Sequence, residues 1–405
     1  MAVAATSLLG VAGCGRLAPA LPAGSAQVQA FPETGDPGRP DGGAGNSLVP
    51  SGTPGAFDTG SAPGSSTAPG SATPSIPAPG VRVSSGVQSI NADLGVEVYW
   101  HTIGDPASVD KQAARILDYV VGLGANAVAV TFPIFTDGAK PTRAYGTPDA
   151  TPDPTALGRV VAASKARGLR VTVRPLIDEA DIISSGGWRG SLQPADVNSW
   201  FASYRALLGP YFTMARAQRA DEFVVGTELN SLIDADAQWR GVMADGTAKY
   251  GGELTYASNW DSWAHDQVPS AVPDVGVDAY PPLKLPDTAS VDQLSAAWTA
   301  WLRHRSGATL EKTAIQELGI PAQAGAYTKP NSWGSASAAI KPQIQINWFA
   351  AACQSARALH LRGLYFWMVD SNAVPDHAQN DPSGSFIGRG DSAIKSCFAE
   401  PWSHS

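Results

Sequence analysis

Cysteine is scarce in this 405-residue chain, and the three present, Cys14, Cys353 and Cys397, form no CxxC pair. No HExxH string occurs either, so no metal centre is expected, and no cofactor. Basic charge is also in short supply. The 28 Lys and Arg are outnumbered by 36 Asp and Glu, for a formal charge of −8, and no basic stripe runs along any stretch. A nucleic-acid partner is thereby disfavoured, and a neutral substrate fits better than a polyanion. No internal repeat is visible.

Large apolar and charged side chains are nearly missing from residues 15–91, which are built from Pro, Gly, Ser, Ala and Thr. Such a segment buries too little surface to offset its ordering entropy, so it reads as a disordered tether. Ahead of it, Leu9-Gly10-Val11-Ala12-Gly13-Cys14 resembles the lipobox of bacterial lipoproteins. The resemblance implies that residues 1–14 are a signal-like segment, that Cys14 is lipidated, and that the protein is exported and held at a membrane or envelope surface only by that anchor. The positive residues that usually precede such a stretch are missing, and the alternative is a cleaved or fortuitous apolar N-terminus. With Cys14 consumed, Cys353 and Cys397 remain as an even pair in an oxidising compartment, either joined as a disulfide or buried as two separate thiols.

From residue 92 to 405 the pattern becomes periodic. Strands are expected over 94–99, 127–132, 170–174, around Val224, and over 254–259, 275–280, 313–317 and 363–367. Helical spacing separates them over 110–123, 154–167, 194–217, 236–243, 291–305 and 342–359, with the short polar stretch 260–269 the weakest. Eight strands alternating with helices predict an α/β fold of the (β/α)8 TIM-barrel type, expected as a monomer.

The chain is organised around Glu222-Phe223-Val224-Val225-Gly226-Thr227-Glu228, an apolar strand that ends on a carboxylate. A second run, Lys312-Thr313-Ala314-Ile315-Gln316-Glu317-Leu318-Gly319, has the same form. Two carboxylates at barrel strand ends suit glycosidic cleavage, one to protonate the leaving oxygen and one to attack the anomeric carbon. Further strings complete a pattern: Gly187-Trp188-Arg189-Gly190, Leu254-Thr255-Tyr256-Ala257-Ser258-Asn259-Trp260 and Val277-Asp278-Ala279-Tyr280. Together these residues resemble glycoside hydrolase family 113, a β-mannanase-type family of clan A, over about residues 94–398.

The resemblance implies a retaining enzyme acting on oligosaccharide or polysaccharide, β-mannan first, with Glu228 as acid/base after strand four and Glu317 as nucleophile after strand seven. One position departs from the clan: Thr227 stands where many members place Asn. The residues themselves nominate Tyr280 and Arg174 to hold Glu317 charged, the alternatives being a core aromatic and a structural ion pair. Trp367, Trp260 and Trp188 are candidates to stack on sugar faces, or else to pack between barrel and helices. Asn259 and Asp178 would bond sugar hydroxyls or serve turns. His101 is left out as a solvated or structural histidine. Alternative functions are a carbohydrate-binding barrel without turnover, and a clan A hydrolase of β-glucosides or β-galactosides.

Overall fold

The computed structural model describes residues 92–402, except 333, 336 and 376–384. Cys14, the lipobox-like string and the Pro/Gly/Ser-rich stretch lie outside the described residues. Eight parallel strands close on themselves: β1 (Asp93–Tyr99), β2 (Ala127–Thr136), β3 (Arg170–Ile177), β4 (Glu222–Thr227), β5 (Glu253–Asn259), β6 (Asp274–Asp278), β7 (Ala314–Leu318) and β8 (Gly363–Asp370). Each pairs with its neighbours in sequence, and β8 pairs with β1 to complete the ring. A two-residue strand, Ala144–Tyr145, adds antiparallel to the end of β2.

The helices that follow the strands are α1 (Pro106–Gly122), α2 (Pro154–Ala166), α3 (Val197–Ala217), α4 (Asp236–Lys249), α5 (Trp260–Ala264), α6 (Val291–Leu302), α7 (Pro342–Ala358) and α8 (Asp391–Ala399). Their starts are written locally. Asp105 and Asp153 each accept two backbone N–H bonds from the first turn, and each is followed by a proline at the position where a missing N–H costs nothing. Asp196 caps α3 in the same way, and Ser290 with Gln293 forms a capping box on α6. The stretch after β5 yields only one helical turn.

Helix α8 was not expected, because Gly388-Arg389-Gly390-Asp391 reads as a loose tail. It forms because Ile394, Cys397 and Phe398 bury one face, and because Cys397 is joined to Cys353 of α7 by a disulfide. Closing a loop with a sequence separation of 44 residues stabilises the fold by about 4 kcal/mol in the chain-entropy picture.

The barrel interior is layered, and the layering positions the site. At the N-terminal end Arg170 pairs with Asp93 at 3.0 Å and Glu253 at 2.6 Å, while Arg362 holds Glu222 at 3.0 Å. Above them Ala127, Ala129 and Ala314 pack round the ring of Tyr365. Gly95 makes room for that ring, since a Cβ there would lie 2.2 Å from Tyr365 Cδ1. The top layer is polar again, and opens to the mouth formed by the strands' C-terminal ends.

Candidate active site

The top layer is assembled on Arg174, which points inward from β3 and is fully buried. Its guanidinium donates to Asp278 Oδ2 at 2.8 Å, to Glu317 Oε1 at 2.6 Å, to the Gln316 carbonyl at 3.1 Å and to Glu97. A longer bond reaches Thr227 Oγ1 at 3.3 Å, so the residue that departs from the clan pattern faces this hub. Three buried acids thus share one cation that cannot be deprotonated. Burial pushes Glu97 up to about 8 against the pull of Arg174, and the nearby Glu317 charge adds to the rise. Burial likewise raises the Asp278 carboxyl well above the usual range, with Arg174 opposing and Glu317 assisting.

Glu317 lies on β7 and is buried at its mouth-facing end. Its second oxygen, Oε2, accepts the hydroxyl of Tyr280 at 2.7 Å. Tyr280 and Trp367 close on Gly319, where a Cβ would sit 3.2 Å from the tyrosine oxygen and 3.3 Å from Trp367 Cδ1. Glycine at 319 therefore keeps these two rings beside Glu317.

Glu228 follows β4 directly and is itself fully buried. Its backbone adopts a left-handed conformation, with φ 54°, which a glutamate enters only at a cost of about 1–3 kcal/mol. Two bonds hold it there: its N–H donates to the Ala257 carbonyl at 2.8 Å, and the Leu229 N–H donates to the Tyr256 hydroxyl at 2.7 Å. The turn redirects the side chain so that Oε2 accepts from Arg189 Nη1 at 2.8 Å. Oε1 has no hydrogen-bond partner among the described residues. Burial pushes this carboxyl up to about 8; Arg189 opposes the rise, and the charges of Glu317 and Glu179 add to it.

The remaining candidates are distributed as follows. Trp367 is 2 % exposed and packs with Tyr99, Leu176 and Met368, its ring centroid 6.1 Å from that of Tyr99. Its peptide bond to Met368 is cis. Asp178 follows β3 and accepts the Tyr99 hydroxyl at 3.3 Å. Trp188 is buried in the same connection, folded over Gly190. Asn259 ends β5, in register with Asp278, and its side chain accepts the Asp261 N–H at 3.4 Å, so it serves the turn into α5. Trp260 opens α5 and packs half-buried against the outer core. No hydrogen bond joins Asn259 or Trp260 to either glutamate among the described residues. His101 lies at the same mouth, 2.9 Å from Asp370. Burial pulls its imidazole down, but the bond to Asp370 outweighs this and leaves it raised.

Sequence reasoning missed Arg189, Glu179, Glu97 and Asp278. A signal existed for Asp278 and Arg189, which lie in two of the recognised strings, Val277-Asp278-Ala279-Tyr280 and Gly187-Trp188-Arg189-Gly190. Among the described residues no group of His, Cys, Asp and Glu side chains is arranged to hold a metal ion.

The sequence profile described as Glycoside Hydrolase Family 113 matches residues 100–386. The fold superposes on the family 113 β-mannanase of Alicyclobacillus acidocaldarius with a TM-score of 0.64 at 19% identity, covering 76% of this chain and 97% of that one. A complex structure of a family 113 β-1,4-mannanase gives 0.62 at 19% identity, over 76% and 98%. A β-D-glucuronidase of Dictyoglomus thermophilum gives 0.51 at 11% identity, over 76% and 50%. At these identities the likeness is one of fold. No curated protein matches the sequence.

Proposed function

This chain belongs to glycoside hydrolase family 113, and from that premise we propose that it cleaves β-linked neutral glycans with retention, β-mannan or manno-oligosaccharides before others. Membership makes it a glycoside hydrolase, so the reading as a barrel that binds without turnover is set aside. The observation that carries the proposed roles is the asymmetry of the two buried carboxyls. Glu317 is held at both oxygens by donors from Arg174 and Tyr280, whereas Glu228 is bonded at one oxygen and pushed up to about 8 by burial.

Glu317 supplies the attacking oxygen. As it bonds to the anomeric carbon, Glu228 gives its proton to the glycosidic oxygen, the old C–O bond breaks, and a glycosyl ester remains on Glu317. Glu228, now a carboxylate, then takes a proton from water. The water oxygen bonds to the anomeric carbon, and Glu317 leaves as it arrived. This sequence needs the carboxyl groups about 5–5.5 Å apart and an acid that holds its proton near neutral pH. Tyr280 follows the charge on Glu317 through both steps, and Trp367 offers an apolar face beside it for the sugar ring.

Incubation with β-mannan, glucomannan, xylan and β-glucan oligosaccharides tests the substrate. Manno-oligosaccharides are the expected products, with the anomeric configuration of fresh product matching that of the substrate. Preferential cleavage of β-glucan would move the specificity to glucosides, and inverted product would remove Glu317 as nucleophile.

We also propose that the chain is exported and lipidated at Cys14. The disulfide between Cys353 and Cys397 supports this, because such bonds persist in oxidising compartments. Mass spectrometry of the detergent-extracted protein is expected to find acyl chains on Cys14 and none in Cys14→Ser. An unmodified Cys14 in the native host would end the proposal.

A further inference from the structure

The connection between β3 and α3 carries a buried ion pair that the catalytic proposal does not use. Arg189 is 3 % exposed and held at several points along its length. Its N–H donates to Glu179 Oε1 at 2.8 Å, its Nε donates to the Ile177 carbonyl at 2.9 Å, and Nε also lies 3.5 Å from Glu179 Oε1. These anchors fix the plane of the guanidinium. One arm of its fork, Nη1, is aimed at Glu228, 2.8 Å from Oε2.

A guanidinium has donors and no acceptor, and it does not lose its proton. The oxygen facing it must therefore accept. A protonated carboxyl has one O–H, so when Glu228 is an acid its hydrogen sits on Oε1, the oxygen with no hydrogen-bond partner among the described residues. We propose that Arg189, locked in place by Glu179 and the Ile177 carbonyl, is a positioning residue that assigns the transferable proton of Glu228 to Oε1 and draws the carboxyl back toward its ionised form for the second step. This rests on the reading of Glu228 as the acid and base.

The same geometry sets the sign of each perturbation. Glu228 is faced by Arg189 and Glu179 from the β3–α3 connection, Arg174 from β3, Tyr256 from β5, Asp278 and Tyr280 from β6 and the residues after it, and Glu317 from β7. Arg189 favours the carboxylate of Glu228, and Glu179 disfavours it. Removing the cation and removing its anionic partner should therefore act in opposite directions. A merely structural ion pair would respond in one direction, through loss of folded protein.

The experiment records pH profiles of kcat/KM for the full chain on a phenyl β-glycoside of the sugar it cleaves, whose leaving group needs a proton, and pre-steady-state release of aryl alcohol on the 2,4-dinitrophenyl β-glycoside. The parent's alkaline limb is expected near 8. Arg189→Met should move that limb up by about one unit or more, and should produce a burst of aryl alcohol as breakdown of the glycosyl ester slows. Glu179→Gln keeps an acceptor for the Arg189 N–H but carries no charge, and should move the limb down. Arg189→Lys keeps the charge without the fork. It should leave the limb near its parent position while lowering kcat at least about tenfold on substrates with poor leaving groups.

Melting curves establish that each variant is folded, and if Arg189→Met is not, Glu179→Gln and Arg189→Lys decide the question. A limb unmoved in every folded variant, or moved the same way by Arg189→Met and Glu179→Gln, overturns the proposal. Glu228→Gln is measured alongside. If the limb survives in Glu228→Gln, Glu228 is not the titrating acid and the underlying reading fails. If it vanishes there yet ignores Arg189 and Glu179, only the positioning role falls.

Discussion

Glu317→Ala is expected to lower turnover by on the order of 10⁴-fold or more on every substrate, because no covalent route remains once the attacking oxygen is gone. Glu228→Ala should behave differently. A leaving group such as 2,4-dinitrophenolate departs without a proton, so formation of the glycosyl ester survives. Its breakdown, which needs a base, slows by about 10²–10⁴-fold. Azide, an anion that attacks without giving up a proton, should restore turnover in Glu228→Ala and return a β-glycosyl azide. It should do nothing comparable for Glu317→Ala. Substrate panels that differ only in the aglycone separate the two variants, and equal losses on all of them would reverse or dissolve the assignment. The distinction follows from what each carboxyl touches: Glu317 has both oxygens engaged by donors, and Glu228 has one oxygen left without a hydrogen-bond partner among the described residues.

Arg174→Met should damage the fold as well as the chemistry. The methionine fills much of the volume but withdraws the cation from Glu97, Asp278 and Glu317. Stranding buried acids in this way costs about 3–5 kcal/mol. For a barrel of this size that is a Tm lower by roughly 10 °C. The pH dependence has a definite sign. Glu97 and Asp278 already have raised folded-state pKa values, Glu97 to about 8, so the folded state binds protons that the unfolded chain has released above its ordinary carboxyl range. Their contribution to stability is therefore fully present at low pH and is lost as the pH rises through that interval. Without Arg174 both groups rise further, and the loss extends to higher pH. Melting at pH 5 and pH 9 checks this: the difference between parent and variant should be larger at pH 9. A larger difference at pH 5 would mean that the hub is not held by charge.

Much of the barrel was readable as strings of β-branched residues bounded by glycine and turn residues, because parallel strands buried on both faces leave near-continuous apolar runs. Two strand ends were misplaced at prolines. Strand β2 is expected over 127–132 and β3 over 170–174, and Pro133 and Pro175 come next in the chain. Both strands run on, with Phe132 in register with Pro175 and Pro133 with Leu176. The extra length places Arg174 three residues before the strand's end, below the rim, where it meets acids from β1, β6 and β7. For that reason Glu97 could not be nominated: an acid in a strand interior has no local signature until the depth of its partner is known.

The positions of Glu228 and Glu317 at strand ends were legible because each follows its apolar run directly. The role of Arg189 was not legible, although the residue lies in the string Gly187-Trp188-Arg189-Gly190. It sits in a long connection without periodicity, and its partners lie 10, 12 and 39 residues away. Helix α8 was hidden for a related reason, since a disulfide to a residue 44 positions earlier supplies what its glycine-rich start lacks.

A parallel barrel has a direction, and it governs how this enzyme meets material larger than itself. The described residues enter the ring at the start of β1, on the side where Arg170 and Arg362 lie, whereas Glu228 and Glu317 lie at the opposite, C-terminal ends of the strands. An attachment made at the start of β1 therefore takes hold on the face opposite the two glutamates. The face that carries the two glutamates is then left clear of the attachment.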